Sequence, residues 1–182
     1  YQTTAQTDIG IIVFNHGENV GIKMLANNLD ENFLFYHDLP SGKLYLYLDK
    51  GNPSKVFKDI EIGEKKNIIN IPPQTKNVII DNLCIKYGGA HGIGGTEFEN
   101  LSVRNCEIAW IGGSILYDTT RYGNAVECWG SCKGFHVENC YIYQIYDTGL
   151  THQYKGDDAN VVVNIAHGLL NISIISPAQT VK

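Results

Sequence analysis

Positive charge is scarce in this chain: its 182 residues hold 14 Lys and Arg against 19 Asp and Glu, a net charge of −5. That balance argues against a general nucleic-acid binder, whose footprint is basic. Long apolar runs are also missing. None reaches the length of a membrane span, and no basic-then-apolar stretch opens the chain. Apolar residues at helical spacing are rare, and Val20 to Leu29 is the best candidate for a short helix. Cysteine occurs five times, an odd count that does not suit a disulfide framework. Cys128 and Cys132 have a spacing that chelates or bridges, but no second pair at ligand spacing accompanies them, so no metal site is expected. The start at Tyr1 rather than Met suggests a processed product or a piece of a longer chain. What remains is enough chain for one domain with a real core.

What the sequence does contain is self-similarity. Asn77-Val78-Ile79-Ile80-Asp81-Asn82-Leu83-Cys84-Ile85 lies over Asn100-Leu101-Ser102-Val103-Arg104-Asn105-Cys106-Glu107-Ile108, and both lie over Gly134-Phe135-His136-Val137-Glu138-Asn139-Cys140-Tyr141-Ile142. Each is followed by a loop and a short apolar piece: His91-Gly92-Ile93, Asn124-Ala125-Val126, Thr148-Gly149-Leu150. A period of this length marks a solenoid in which each turn buries its apolar face against the next, and strand-like pieces make it a parallel β-helix. Three columns are expected inside: Ile80/Val103/Val137, Leu83/Cys106/Cys140 and Ile85/Ile108/Ile142. Asn82, Asn105 and Asn139 form a column at a bend, where stacked amides are expected to bond along the axis. The spacing is 23 residues from Asn82 to Asn105 and 34 from Asn105 to Asn139, and the surplus of 11 is assigned to the loop Trp110 to Tyr122. Leu170 to Ile174 fits a fourth turn, whereas Asp157 to His167 fits poorly.

From Asn77 to Gly156 this pattern resembles the right-handed parallel β-helix proteins of the pectate-lyase-like superfamily, with their Asn column at a bend and a following Gly-Ile strand. Ala90-His91-Gly92-Ile93-Gly94-Gly95, Arg121 to Glu127 and Ile145 to Thr151 look like bacterial carbohydrate-active members. The resemblance implies an all-β, right-handed parallel β-helix, a secreted or periplasmic setting and a polysaccharide or oligosaccharide partner. It does not fix the activity, because the superfamily includes hydrolases, lyases and non-catalytic adhesins. So few turns suggest part of a longer solenoid, and nothing in the residues sets an oligomeric state.

Residues 1–76 lack the repeat and are expected to form a β-rich cap ahead of coils in residues 77–182. Gly10 to Phe14 reads as a buried strand, and Phe33 to Tyr36 and Leu44 to Leu48 flank Asp38-Leu39-Pro40-Ser41-Gly42 as a hairpin. Asn52-Pro53-Ser54 breaks the chain before a further strand at Val56 to Ile62.

Strand alternation aligns Ile93, Val126 and Leu150 inward and turns Glu127 and Thr151 outward. The outward face is expected to collect His91, Glu127, Asp147, Thr151 and His152. The long loop would add Trp110, Tyr117, Asp118, Arg121 and Tyr122, with Trp129 among the aromatic rings nearby. Glycoside hydrolysis needs one carboxylic acid and one carboxylate. Asp147 and Glu127 are the first candidates and Asp118 the third. His91, Trp110, Arg121, Tyr122, Trp129, Thr151 and His152 are candidate substrate contacts. Strands about 4.8 Å apart, with the pair offset by roughly four positions, set the carboxyls about 6–9 Å apart, a range that favours inversion. A lyase needs instead a Lys or Arg base and a cation such as Ca²⁺; Lys86, Arg121 and Lys155 are its possible bases, but no acidic cluster suits the ion. A hydrolase needs no cofactor. A glycan-binding solenoid without turnover would show the same repeat and rings.

Overall fold

The computed structural model describes residues 1–153, 161–164 and 172–173. It is mostly β, and the two halves of the chain build their sheets differently. In residues 1–64 the buried strand Ile9–Phe14 pairs antiparallel with Asn19–Val20 and with Ile60–Glu64. Beside it, Leu34–Asp38 and Lys43–Leu46 form the expected hairpin, flanked by Ile22–Met24 and Gln2–Thr4. Gly42 closes the turn at φ 68°, a conformation that costs glycine little. Ile9, Ile12, Phe14, Phe35 and Leu44 form the local core, and the Phe14 ring packs on Phe33 and Phe57. The expected helix at Val20 to Leu29 is absent. That stretch extends as Ile22–Met24 because its Lys23 side chain is drawn inside by a buried carboxylate. The short helix is Pro53–Val56, where the Asn52 side chain accepts from the Ser54 amide and Pro53 pre-sets the first turn.

From Ile69 onward every described strand outside one inserted hairpin is repeated, so parallel stacking begins ahead of position 77. Sheet I contains Lys76–Asp81, Glu99–Arg104, Lys133–Glu138 and Val161–Asn164; sheet II contains Cys84–Gly88, Glu107–Ile111 and Tyr141–Ile145. Sheet III contains Ile69–Ile71, Ile93–Thr96, Val126–Trp129, Leu150–Gln153 and Ile172–Ser173. All three are wholly parallel, and the chain visits III, I and II in turn. The register is the one read from the sequence: Ile80 beside Val103 beside Val137, and Ile85 beside Ile108 beside Ile142. These residues, with Ile93, Val126, Leu150 and the Cys106, Cys128, Cys132 and Cys140 thiols, form the second core. All five cysteines are free.

Three expectations change. Val161–Asn164 joins sheet I although its surroundings fit the repeat poorly; the rest of Asp157 to His167 lies outside the described residues, as do Leu170, Asn171 and Ile174 of the fourth turn. Leu83 is 45% exposed; its turn joins the edge strands of sheets I and II. The surplus of 11 residues is split. Ile85 to Ile93 and Ile142 to Leu150 each span eight positions and Ile108 to Val126 spans 18, so the loop holds ten. The eleventh falls in the turn between Trp129 and Phe135. The ten fold as an antiparallel hairpin, Ser114–Tyr117 with Thr120–Tyr122.

The bends have a shared backbone signature. Asn82, Asn105 and Asn139 take φ of 56°, 54° and 52°, the left-handed region that Asn tolerates better than most residues. Three further columns do the same: Gln74/Glu97/Gly130, Asn77/Asn100/Gly134 and Tyr87/Trp110/Gln144. The amide ladder expected at Asn82/Asn105 is not formed. Asn105 Nδ2 donates instead to Asp81 Oδ1 at 2.8 Å, because the carboxylate next to Asn82 is the stronger acceptor. An amide contact does occur one column away, where Asn100 Nδ2 donates to Asn77 Oδ1 at 2.9 Å.

Candidate active-site groove

At the mouth of sheet III each turn holds the next by one side-chain hydrogen bond, beside the backbone ladder. The register places Asn67, His91, Asn124 and Thr148 in one column. Asn67 Oδ1 accepts from the His91 amide at 3.3 Å, His91 Nδ1 from the Asn124 amide at 3.0 Å, and Asn124 Oδ1 from the Thr148 amide at 3.0 Å. Backbone amides leaving a bend need acceptors, and this column supplies them. The column also reaches three residues forward: Asn67 Nδ2 donates to Asn70 Oδ1, and Asn124 Nδ2 to Glu127 Oε2 at 2.5 Å. Asn70, Gly94, Glu127 and Thr151 are themselves one column, on the outward face as alternation requires. A Cβ at Gly94 would lie 2.6 Å from Asn67 Nδ2, so a larger residue there displaces that side-chain amide.

Above this face opens a groove of about 570 Å³, whose lining includes Glu127, Asp147, His91, Asn124, Tyr122 and Trp129. Glu127 is 4% exposed, and burial pushes its carboxyl up to about 7; the nearby Asp147 charge acts in the same direction, while Asn124 and Thr151 oppose it. The Thr151 hydroxyl leans on Glu127 without a well-formed hydrogen bond. With Oε2 taken by the Asn124 amide, Oε1 is the atom left for the proton. Burial alone brings the His91 imidazole down to about 4, so the ring is neutral. Its Nδ1 accepts a peptide N–H, which places the proton on Nε2 and makes His91 a neutral donor rather than a base. Asp147 is fixed by its own amide, which donates to the Gly123 carbonyl, and its Oδ1 accepts from the Thr148 hydroxyl at 3.3 Å. Tyr122 meets the His91 ring edge-on at 5.0 Å, and Trp129, 59% exposed, stands on the rim.

The structure therefore brings together six of the residues chosen from sequence: Glu127, Asp147, His91, Tyr117, Tyr122 and Trp129, with Thr151 buried beneath them. The others lie elsewhere. His152 is a correction: it registers with Cys128, faces inward, and its Nε2 lies 3.3 Å from the Cys132 carbonyl oxygen. Trp110 is on sheet II, edge-on to Tyr143 at 6.4 Å, because its left-handed backbone keeps it in the Tyr87/Gln144 column. Arg121 turns away from the groove; Nε donates to Tyr146 Oη, Nη1 donates to the Lys23 carbonyl, and the guanidinium lies 4.5 Å over the Tyr146 ring. Asp118 is exposed at the hairpin tip, outside the groove lining. Sequence reasoning left out Asn124, which ties three turns together. Its signal was legible as a polar residue in the His91/Thr148 column three positions before a Glu.

Among the described residues, no Lys or Arg lines the groove. The ligand-type side chains that do converge, His16, Asp59 and Glu61, are on the N-terminal half. No helix of the described residues is long and apolar enough to cross a membrane. No family model, curated protein or solved structure matches this chain.

Proposed function

We propose that sheets I, II and III are the faces of a right-handed parallel β-helix, the hand that parallel crossovers favour, and that the protein is a carbohydrate-active member of the pectate-lyase-like group. On this reading the groove is the active site of a glycoside hydrolase. Glu127 is the acid: its Oε1 proton passes to the glycosidic oxygen as the C1–O bond breaks. Asp147 is the base, taking a proton from the water whose oxygen bonds to C1. His91 Nε2–H donates to a sugar hydroxyl, and Trp129 and Tyr122 cover the apolar faces of the rings. A secreted or periplasmic location accompanies this role.

One observation carries the reading: a carboxyl kept protonated near neutrality by burial, in the same groove as a second carboxylate and the Tyr122 and Trp129 rings. A lyase is less well supported, because no cationic side chain of the described residues lines the groove to abstract the proton beside a uronate; Lys155 lies outside them. The test is reducing-sugar release together with calorimetric binding over a panel of neutral and uronate polysaccharides. Wild type should hydrolyse a neutral member. Glu127→Gln should lower kcat by about 10²–10⁴-fold, the range for a lost general acid, while binding stays within a few-fold. Binding without turnover in wild type would make it a glycan-binding solenoid, and absence of binding across the panel would remove the carbohydrate reading.

A further inference from the structure

The N-terminal half contains a group that the groove chemistry does not use. The Asp8 and Lys23 side chains are 1% and 2% exposed, and Lys23 Nζ donates to both Asp8 oxygens at 2.7 and 2.6 Å. His37 Nδ1 lies 3.2 Å from Asp8 Oδ1, and the Ile9 amide donates to the same ring nitrogen. A buried ion pair is a weak means of stabilisation, since apolar residues of similar volume often replace one without loss. Apolar residues cannot supply an acceptor, however. Asp8 Oδ2 also accepts from the Ile115 amide at 2.6 Å, across 107 residues of sequence. Ile115 is in the first strand of the inserted hairpin, whose Leu116, Tyr117 and Tyr122 wall the groove.

The same corner is tied three more times. The Asp8 carbonyl accepts from the Lys65 amide, Lys65 Nζ donates to the Leu116 carbonyl, and the Lys23 carbonyl accepts from Arg121 on the return strand. Gly10 and Gly113 let the backbones close together; a Cβ at Gly113 would stand 2.5 Å from the Gly10 carbonyl oxygen. The hairpin strands join no sheet of the repeat; their bonds to it are at the base, from the Ser114 amide to the Gly89 carbonyl at 3.0 Å, and on the return strand, from Arg121 Nε to Tyr146 Oη. Along Ile115 and Leu116 the bonds that set the first strand's direction come from the N-terminal half and Lys65.

We propose that Asp8 is a positioning residue for the groove: its carboxylate, neutralised by Lys23, holds the Ile115 N–H and so sets the wall that carries Tyr117 and Tyr122. The effect on substrate rests on the hydrolase reading; the effect on the hairpin does not. Hydrogen exchange separates the two. In wild type the Ile115 amide should be protected like those of Val126–Trp129, and exchange at the rate of the Asp118 tip would overturn the proposal. In the apolar exchange Asp8→Leu/Lys23→Met, amides of Ile115 to Tyr122 should exchange at least tenfold faster while those of Val126–Trp129 keep their wild-type rates. Asp8→Asn/Lys23→Met, which keeps an acceptor oxygen, should restore most of the protection. On the neutral oligosaccharide that wild type hydrolyses, the Leu/Met variant should raise KM about tenfold at unchanged kcat, and the Asn/Met variant should recover it. Acceleration spread evenly over the chain, or a fall in kcat at constant KM, would mean a merely structural role. Failure of wild type to bind any oligosaccharide would remove the hydrolase reading and leave the exchange result standing.

Discussion

Residues 1–64 and the parallel stack that starts at Ile69 solve the same packing problem by opposite means. In the stack each strand meets a copy of itself, so one apolar choice per column serves several turns: Ile85, Ile108 and Ile142 are all buried. Apart from the inward His152, the buried polar side chains of its strands and their entrances, among the described residues, lie at the mouth and outward column of sheet III, where Asn67, His91 and Asn124 bond in regular steps. In the N-terminal half each antiparallel contact is unique, and at its centre lies the Asp8–Lys23 pair. Repetition specifies a register without buried charge; a one-off arrangement leans on a polar group that fits in one way.

The sharpest break of this contrast is Asp8→Ala. It leaves Lys23 buried and unpaired, and should cost about 3–5 kcal/mol, the range for breaking a buried pair. Ile108→Ala should cost about 2–5 kcal/mol through the cavity between two neighbouring turns. Denaturant unfolding followed by both Trp fluorescence and far-UV dichroism reads them together. One shared transition for both variants would show that the halves unfold as a unit, and two would show that each answers only for its own half.

A smaller effect separates two groups of the groove whose titration burial shifts. Glu127, at about 7 against 4.5 in a free chain, contributes stability that is full below about 4.5 and lost as pH rises through 7. His91, at about 4 against 6.5, has the reverse sign: its contribution is full above about 6.5 and lost as pH falls through 4. Between 4.5 and 6.5 the two slopes oppose each other. Glu127→Gln should therefore expose a stability that climbs with pH over that window, and His91→Gln one that declines. Thermal melts across pH 4 to 8 check both signs, and parallel curves for the two variants would sink the assignment.

The smallest effects test the bends. Gly134→Ala should lose about 1–2 kcal/mol because its φ of 65° is left-handed, and the new Cβ would press on Asn100 Oδ1. Gln144→Gly, at φ 51°, should gain up to about 1 kcal/mol by the same rule. Shifts of opposite sign in denaturation midpoint, the loss larger than the gain, are the reading to look for.

The columns Ile80/Val103/Val137 and Ile85/Ile108/Ile142 were legible because period and alternation act on every turn alike. So was the groove's nucleus, since the outward parity of Glu127 follows from the inward parity of Val126. His152 misled by its polarity: parity counted from Leu150 puts it inside, where the Cys132 carbonyl lies against its ring nitrogen. Trp110 and Arg121 were misplaced because neither a left-handed backbone nor a long-range bond to Lys23 leaves a local pattern. The Asp8 contact was illegible for the same reason, joining residues 107 positions apart.

The left-handed columns have a consequence for how such a chain can change over time. They act as hinges at fixed corners, and between the first two turns each recurs after 23 residues. A segment cut from one hinge to its equivalent in the next turn has both ends in the same backbone state, so duplicating or deleting it leaves every other corner undisturbed. Insertions between corners are tolerated in the same way, as the ten extra residues between Ile108 and Val126 show. The molecule is therefore editable in whole turns and extensible in single loops. A change of a few residues across a corner is the edit it should resist.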